Sequence, residues 1–199
     1  MWDWSNTRLN QESQYKAHKN VEKLEFRPQS IQRTVIEHLK TSHNTDYDLI
    51  IDDDGAGEIA DVVALKVAGD YLLVHLFHCK YANSGTTGVR VGDFYEVCGQ
   101  AQKGVYWRSE VKQLFERLKL REMHRKKKYG ISRIEKGNLQ KLDELRRRSR
   151  LLQPKFHVYV VQPGLNAGGA KAAVLDLLGA TELYLRETFD VPLTVIASP

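Results

Sequence analysis

The sequence predicts an α/β fold: a mixed central sheet, with a three-strand meander, flanked by helices. Three observations predict it. Apolar residues recur at helical spacing in several separate segments. Three consecutive apolar runs between residues 48 and 81 are separated by the tight turns Asp54-Gly55-Ala56-Gly57 and Gly69-Asp70. Two further strand-like runs, at 155–162 and 191–197, enclose a helical one, and this mixed order of elements is that of helices packed on a sheet.

Residues 1–25 are polar and weakly patterned, and the spacing predicts an N-terminal arm. A helix follows from Pro28 to Ser42, because Ile31, Val35, Ile36 and Leu39 share one face and Ser30 suits the start. Leu49, Ile50 and Ile51 centre a strand over 48–53. The runs 58–68 and 71–81 are its neighbours, and Gly69-Asp70 is a hairpin turn. A Gly-, Ser- and Thr-rich loop spans Asn83 to Gly88. The next helix begins near Val91, with Phe94, Val97, Cys98 and Ala101 on one face. Val111, Leu114, Phe115 and Leu118 mark a basic helix over 108–128, broken at Gly130. A second basic helix covers 139–150 and Pro154 closes that region. A buried strand at 155–162, a helix from 170 to about 188 and a last strand at 191–197 complete the chain. Residues 26–199 are therefore expected to form one domain with a basic helical insertion at 108–150.

Composition narrows the function classes. The chain has 199 residues and a net charge of +5, with 42% hydrophobic and 28% charged residues. That length buries a core without disulfides, and two cysteines cannot build a disulfide scaffold. No run of about 18 apolar residues occurs, so no membrane span is predicted. Met-Trp-Asp-Trp-Ser-Asn lacks the basic-then-apolar layout of a signal peptide, and a cytoplasmic location is expected. Charge is uneven. Residues 108–150 carry 16 Lys or Arg against 6 Asp or Glu. Asp46, Asp48, Asp52, Asp53, Asp54, Glu58 and Asp61 form an acidic group earlier in the chain. An acidic cluster beside a basic stretch suits a cation-dependent site that also holds polyanions. The runs Arg125-Lys126-Lys127-Lys128 and Arg146-Arg147-Arg148 are the expected nucleic-acid contacts, since like charges repel unless phosphates neutralise them. A solvated helix pair is the plainer alternative.

Asp61 and Lys80 carry the chemistry. A hairpin brings their strands about 5 Å apart, and alternation puts Leu76, His78 and Lys80 on one face. A carboxylate here can hold a divalent cation, and a nearby ammonium can orient water or offset developing charge. Glu37 on the first helix is a candidate third ligand, although an exposed helix residue is the simpler reading of its spacing.

These residues resemble the PD-(D/E)xK, or restriction-endonuclease-like, nuclease superfamily over roughly residues 28–108: Glu37, then Asp61 in Gly-Glu-Ile-Ala-Asp-Val-Val, then His78-Cys79-Lys80. Gln102-Lys103-Gly104-Val105-Tyr106 resembles the QxxxY motif of RecB-like members. The segment from Asp52 to Gln102 is also similar to domains at the C-terminal ends of bacterial superfamily 2 helicases. The resemblance implies a restriction-endonuclease-like fold and a metal-dependent endonuclease or exonuclease acting on nucleic acid, DNA foremost, in phage defence or DNA processing. It implies catalytic Asp61, Lys80, Gln102 and Tyr106, and metal ligands Asp61, Glu37 and His78 for Mn²⁺ or Mg²⁺. A helicase domain or subunit, or a second copy of the chain, would be partners, and the chain would be a piece or relative of a larger enzyme. The family pattern has an acidic residue where His78 stands. Imidazole favours softer metals, so Mn²⁺ is expected to outperform Mg²⁺. The alternatives are a non-catalytic nucleic-acid-binding module on the same fold and an interaction domain of a helicase complex.

Other chemistries lack their residues. His75, His78, Cys79 and Cys98 have no zinc-like spacing, so the cysteines are expected to be buried and inert. Gly164 to Lys171 resembles a phosphate loop, but Ala170 interrupts it and Ala172 follows Lys171. No nucleophile-elbow motif occurs. Tyr106, Trp107 and Tyr129 flank basic residues and are expected to pack, with base stacking as the alternative.

Overall fold

The computed structural model describes residues 2–18, 21–42, 45–82 and 90–198; the expected loop at Asn83–Gly88 lies outside them. The elements run β1 (Tyr15–His18), β2 (Val21–Phe26), α1 (Ile31–Thr41), β3 (Leu49–Asp52), β4 (Val62–Ala68), β5 (Tyr71–Cys79), α2 (Val91–Gly104), α3 (Val111–Tyr129), β6 (Ile134–Lys136), α4 (Leu139–Arg148), β7 (Gln153–Asn166), α5 (Ala172–Phe189) and β8 (Leu193–Ser198). A 3₁₀ turn, Val105–Arg108, joins α2 to α3.

Six strands form one mixed sheet in the order β6-β3-β4-β5-β7-β8. β3, β4 and β5 are the antiparallel meander, with Leu65 opposite both Leu49 and Val74. β7 joins β5 in parallel and β8 joins β7 in parallel, so the helices connecting them cover the sheet. One sheet face presents Leu49, Ile51, Val63, Leu65, Val74, Leu76, Val158 and Val160 to apolar residues of α2, α3, α4 and α5. The other presents Ile50, Val62, Ala64, Phe77 and Cys79 to Ile31, Val35, Ile36 and Leu39 of α1. Burial on both faces explains why β3 and β4 read as unbroken apolar runs rather than alternating ones.

Caps agree with the helix limits. Ser30 accepts the Arg33 N–H at 3.2 Å and Asn138 accepts the Lys141 N–H at 2.8 Å. Gly130 ends α3 in the left-handed conformation, which costs glycine no Cβ clash.

Three features depart from the sequence reading. Residues 15–18 and 21–26, expected within or beside a polar arm, form the antiparallel pair β1–β2, and Gln14 just before it is fully buried. The short strand β6 pairs with β3 inside the expected helical insertion. β4 begins at Val62, not near 58, because carboxylates hold residues 53–61 as a loop. Asp53 Oδ2 accepts the Ile59 N–H and Glu58 Oε2 accepts the Gly55 N–H, both at 2.8 Å.

Gly137 precedes α4 with φ +85°, and a Cβ there would lie 2.8 Å from the Asp48 carbonyl oxygen and 2.9 Å from Leu49 Cδ1. Gly69 has φ +58° with open space around it. Gly69→Ala therefore incurs only the left-handed backbone cost, about 1–2 kcal/mol, whereas Gly137→Ala adds a clash with β3. Urea denaturation should rank Gly137→Ala as clearly the more destabilised; equal losses would contradict the close packing of the β6–α4 turn on β3.

Candidate metal centre and cationic cleft

The site grows from the loop between β3 and β4. Asp52 ends β3, and Asp54, Glu58 and Asp61 follow within nine residues. Each of these last three offers a carboxylate oxygen, and the three oxygens lie within 4.8 Å of one another. Oxygen donors at that spacing can hold a divalent metal.

The bend that gathers them is braced from α3. Arg121 pairs with the Asp53 carboxylate and donates to the carbonyls of Asp53 and Ala56 at 2.5 and 2.7 Å. Arg117 donates to the Gly57 carbonyl. Arg133 donates to the carbonyls of Asp52 and Asp54 at 3.0 and 2.9 Å. Arg125 Nη1 donates to Asp52 Oδ2 at 2.6 Å, and Gln14 donates to the same oxygen at 2.7 Å. Gly55 and Gly57, at φ +108° and +79°, supply the left-handed turns, and a Cβ on Gly57 would strike Arg117. The guanidinium fork suits this work, since it fixes several acceptors at once.

Asp61 is buried between α1 and β5. Gln32 donates to Oδ1 at 3.0 Å and the Cys79 N–H donates to Oδ2 at 2.8 Å. Burial, followed by the charges of Glu58 and Asp54, drives its carboxyl well above the usual range. Burial, helped by the charges of Asp54 and Asp53, pushes Glu58 up to about 7. Burial and then the Asp52 charge raise Asp54. One buried and two half-buried carboxylates that disfavour one another's ionisation fit a cation, which would relieve both the desolvation and the repulsion.

Lys80 follows β5. Its Nζ donates to Glu96 on α2 at 2.7 Å and lies 3.9 Å from Glu12, whose Oε2 accepts the Tyr81 N–H. Burial lowers the Lys80 ammonium, but the Glu96 hydrogen bond and the Glu12 charge outweigh it and leave its pKa raised. His78 is 1% exposed and neither ring nitrogen has a hydrogen-bond partner. Burial pulls its pKa down to about 4, so the ring is neutral. It packs beneath α2, where a Cβ on Gly104 would come within 3.3 Å of Nε2. Gln102, Tyr106, His78 and Glu58 line one cavity of about 1100 Å³, which Glu12 and Asp54 also reach. His78, Gln102 and Tyr106 thus share a cavity wall with Glu58, whereas Asp61 joins Glu58 through the carboxylate trio and Lys80 lies beside Glu12; neither Asp61 nor Lys80 is among the residues lining the cavity.

Two expected ligands stand apart from the carboxylate trio. His78 shares the cavity but is not one of the three clustered groups, so the argument for Mn²⁺ over Mg²⁺ loses its imidazole. Glu37 pairs with Arg33 and Lys40 on the outer side of α1 and lines a separate depression with Trp2 and His38. The α1 residue that does reach Asp61 is Gln32. Its sequence signal was its position, since residues 32, 35, 36 and 39 share one helical face and a glutamine there is out of place among apolar neighbours. Glu12 and Gln14 gave no such signal.

The basic runs also divide. Arg125 is 4% exposed and tied to Asp52, whereas Lys126, Lys127 and Lys128 are exposed. On α4, Arg147 and Arg148 are exposed; Arg148 lies 3.5 Å from Glu144 and Arg146 lies 3.8 Å from Asp143. Trp107 and Tyr106 meet edge to face, and Arg117 lies over the Trp107 ring. Tyr106 is 59% exposed, so it extends into the cavity rather than the core. Both cysteines are buried and free. Among the described residues no helix is long and apolar enough to cross a membrane.

In comparisons with known proteins, no family model, no curated protein and no solved structure matches the chain.

The raised carboxyls set a pH dependence. Between pH 4.5, the ordinary value for glutamate, and about 7, the folded metal-free chain holds protons that the unfolded chain has released. The stability that Glu58 contributes therefore falls as pH rises through that window. Buried His75 and His78, each held down to about 4, act in the opposite sense between about pH 4 and 6.5, so the comparison is with Glu58→Gln. In chelator, the wild-type thermal midpoint relative to that of Glu58→Gln should be lower at pH 8 than at pH 5, and Mg²⁺ or Mn²⁺ should raise the wild-type midpoint more at pH 8. A difference between the two chains that does not change with pH, and no response to either ion, would deny the cluster a cation.

Proposed function

We propose that this protein is a metal-dependent nuclease domain that cleaves phosphodiester bonds of nucleic acid, DNA foremost, in the cytoplasm. The observation that carries the reading is the convergence of Asp61 with Asp54 and Glu58 at the end of the meander from which Lys80 also emerges. The order helix, three antiparallel strands, helix and parallel strand supports a restriction-endonuclease-like arrangement.

Asp61, Glu58 and Asp54 would hold Mg²⁺ or Mn²⁺, both of which suit oxygen ligands. The ion, when bound, would supply charge neutralisation at the phosphate and acidify a water. Gln32 and the Cys79 N–H fix the direction of the Asp61 carboxylate. Lys80, held near the cluster by Glu96 and Glu12, can shift from Glu96 to a phosphate oxygen or an attacking water. Gln102 and Tyr106 stand on the wall of the cavity, where they can position the strand. Lys126, Lys127, Lys128, Arg147 and Arg148 are exposed cations suited to the phosphate backbone, a contact that reads no sequence. Association with a helicase domain, or pairing of two copies, belongs to the same reading.

A non-catalytic nucleic-acid-binding module is the second reading. It is favoured by His78, a neutral ring at a position that the nuclease pattern gives to a carboxylate, and by the engagement of Lys80 with Glu96.

Labelled single- and double-stranded DNA, incubated with Mg²⁺ or Mn²⁺, should be cut by the wild-type chain. Asp61→Ala and Lys80→Ala, shown to be folded, should each lose roughly a hundredfold or more in rate, as removal of a charge-stabilising group does. Binding without cutting under every condition would leave the second reading standing. Affinity should also fall steeply with salt, and a triple Lys126→Ala, Lys127→Ala, Lys128→Ala variant should flatten that slope; an unchanged slope would remove α3 from the interface.

A further inference from the structure

Arg125 is only half used. Its Nη1 holds Asp52, while its buried Nε and Nη2 have no hydrogen-bond partner among the described residues. Leaving a buried donor unmet is costly, and here two donor nitrogens of one side chain are unmet. Nε–H and one Nη2–H lie on the same edge of a guanidinium and point the same way, which is the fork that grips two oxygens of a phosphate or carboxylate.

The balance of charge around it favours an anion. Arg125 lines a cleft of about 1130 Å³ between the β1–β2 pair and α3, where six Lys or Arg, Arg121 and Arg133 among them, stand against the carboxylates Asp52, Asp54, Glu110 and Glu116. Arg133 is held there by backbone carbonyls, and the charges of Arg121 and Arg125 help burial lower its pKa, so a further anion is welcome. The cleft adjoins the cavity that Asp54 and Glu58 line, since Asp54, Gly55, Ala56, Trp107 and Arg117 border both. Asp52, which holds Arg125, is two residues from Asp54, at most about 7 Å of backbone.

We infer that the open edge of Arg125 is an anion subsite that receives a phosphate group of a nucleic-acid strand whose neighbouring phosphate reaches the carboxylate cluster. The Tyr15 ring centroid lies 4.4 Å from the guanidinium carbon, so the ring covers one face of the guanidinium and leaves its in-plane edge to the phosphate. The nucleic-acid origin of the phosphate rests on the nuclease reading; the anion subsite stands on the Arg125 edge alone.

The test uses the isotope-labelled full chain without metal. Inorganic phosphate should shift the Arg125 Nε–H resonance saturably, the resonance being assigned by its loss in Arg125→Lys. That variant keeps a cation beside Asp52 but lacks the fork. It should bind a short single-stranded oligodeoxynucleotide about tenfold more weakly than wild type, with its cooperative unfolding retained. Comparing oligonucleotides with and without a 5′-phosphate identifies the source: dependence on that group marks a strand end, and equal binding marks an internal diester. Asp61→Asn should keep the phosphate response while losing cleavage; a wild-type chain that leaves the substrate uncut with both Mg²⁺ and Mn²⁺ while Arg125 responds defeats the nuclease reading and not the subsite. An Arg125 resonance that ignores both phosphate and oligonucleotide overturns the inference, whatever the variant does.

Discussion

The pairing of α3 arginines with the acidic β3–β4 loop is the interaction on which the rest of the site depends. Asp52 and Asp53 are buried carboxylates, and leaving either unpaired would cost several kcal/mol. Arg125 and Arg121 meet them, and Arg117 and Arg133 collect the carbonyls that the loop cannot satisfy within a sheet. With its backbone held in this way, the loop can turn Asp54 and Glu58 towards Asp61. Were α3 to lose its grip, three carboxylates with raised pKa values would have no reason to stay together.

The same arrangement changes the meaning of the basic region. A count of Lys and Arg treats residues 108–150 as one polyanion-binding arm. In the fold, one side of α3 braces the acidic loop, and the other side, with Lys126 and Lys127, faces solvent. Arginine does the bracing, where several acceptors must be fixed in one plane, and lysine supplies much of the exposed charge, where a hydrated point charge suffices. The cleft between α3 and the β1–β2 pair inherits positive charge from the braces, and it adjoins the acidic cluster because the brace and the cluster share one loop.

His78 and Lys80 show how a short motif divides on folding. Both follow from the alternation of β5, yet one is a neutral ring sealed beneath Gly104 and the other an ammonium in a carboxylate network. The register is what ties them to Asp61: Val62 faces Phe77, and the next step along the ladder brings the Cys79 N–H to the Asp61 carboxylate.

Sequence alone determined the α/β class, the meander, most helix limits and the placing of Asp61 and Lys80 at one end of a hairpin. Those are consequences of local periodicity and of turn residues such as Gly69-Asp70, which need no distant partner. Only the tertiary structure decided that Gln32 rather than Glu37 reaches the site, because which face of α1 meets the sheet at the level of Asp61 depends on packing. It decided that the loop, not a strand, presents Glu58, because the arginines that hold the loop lie 60 or more residues away in the chain. It also paired residues 15–18 with 21–26 beside α3 and brought Glu12 to Lys80, contacts whose polar residues carry no periodic signature. Local pattern encodes what neighbouring residues impose on one another; the cluster, the cleft and the division of the arginines are set by contacts between segments far apart in sequence.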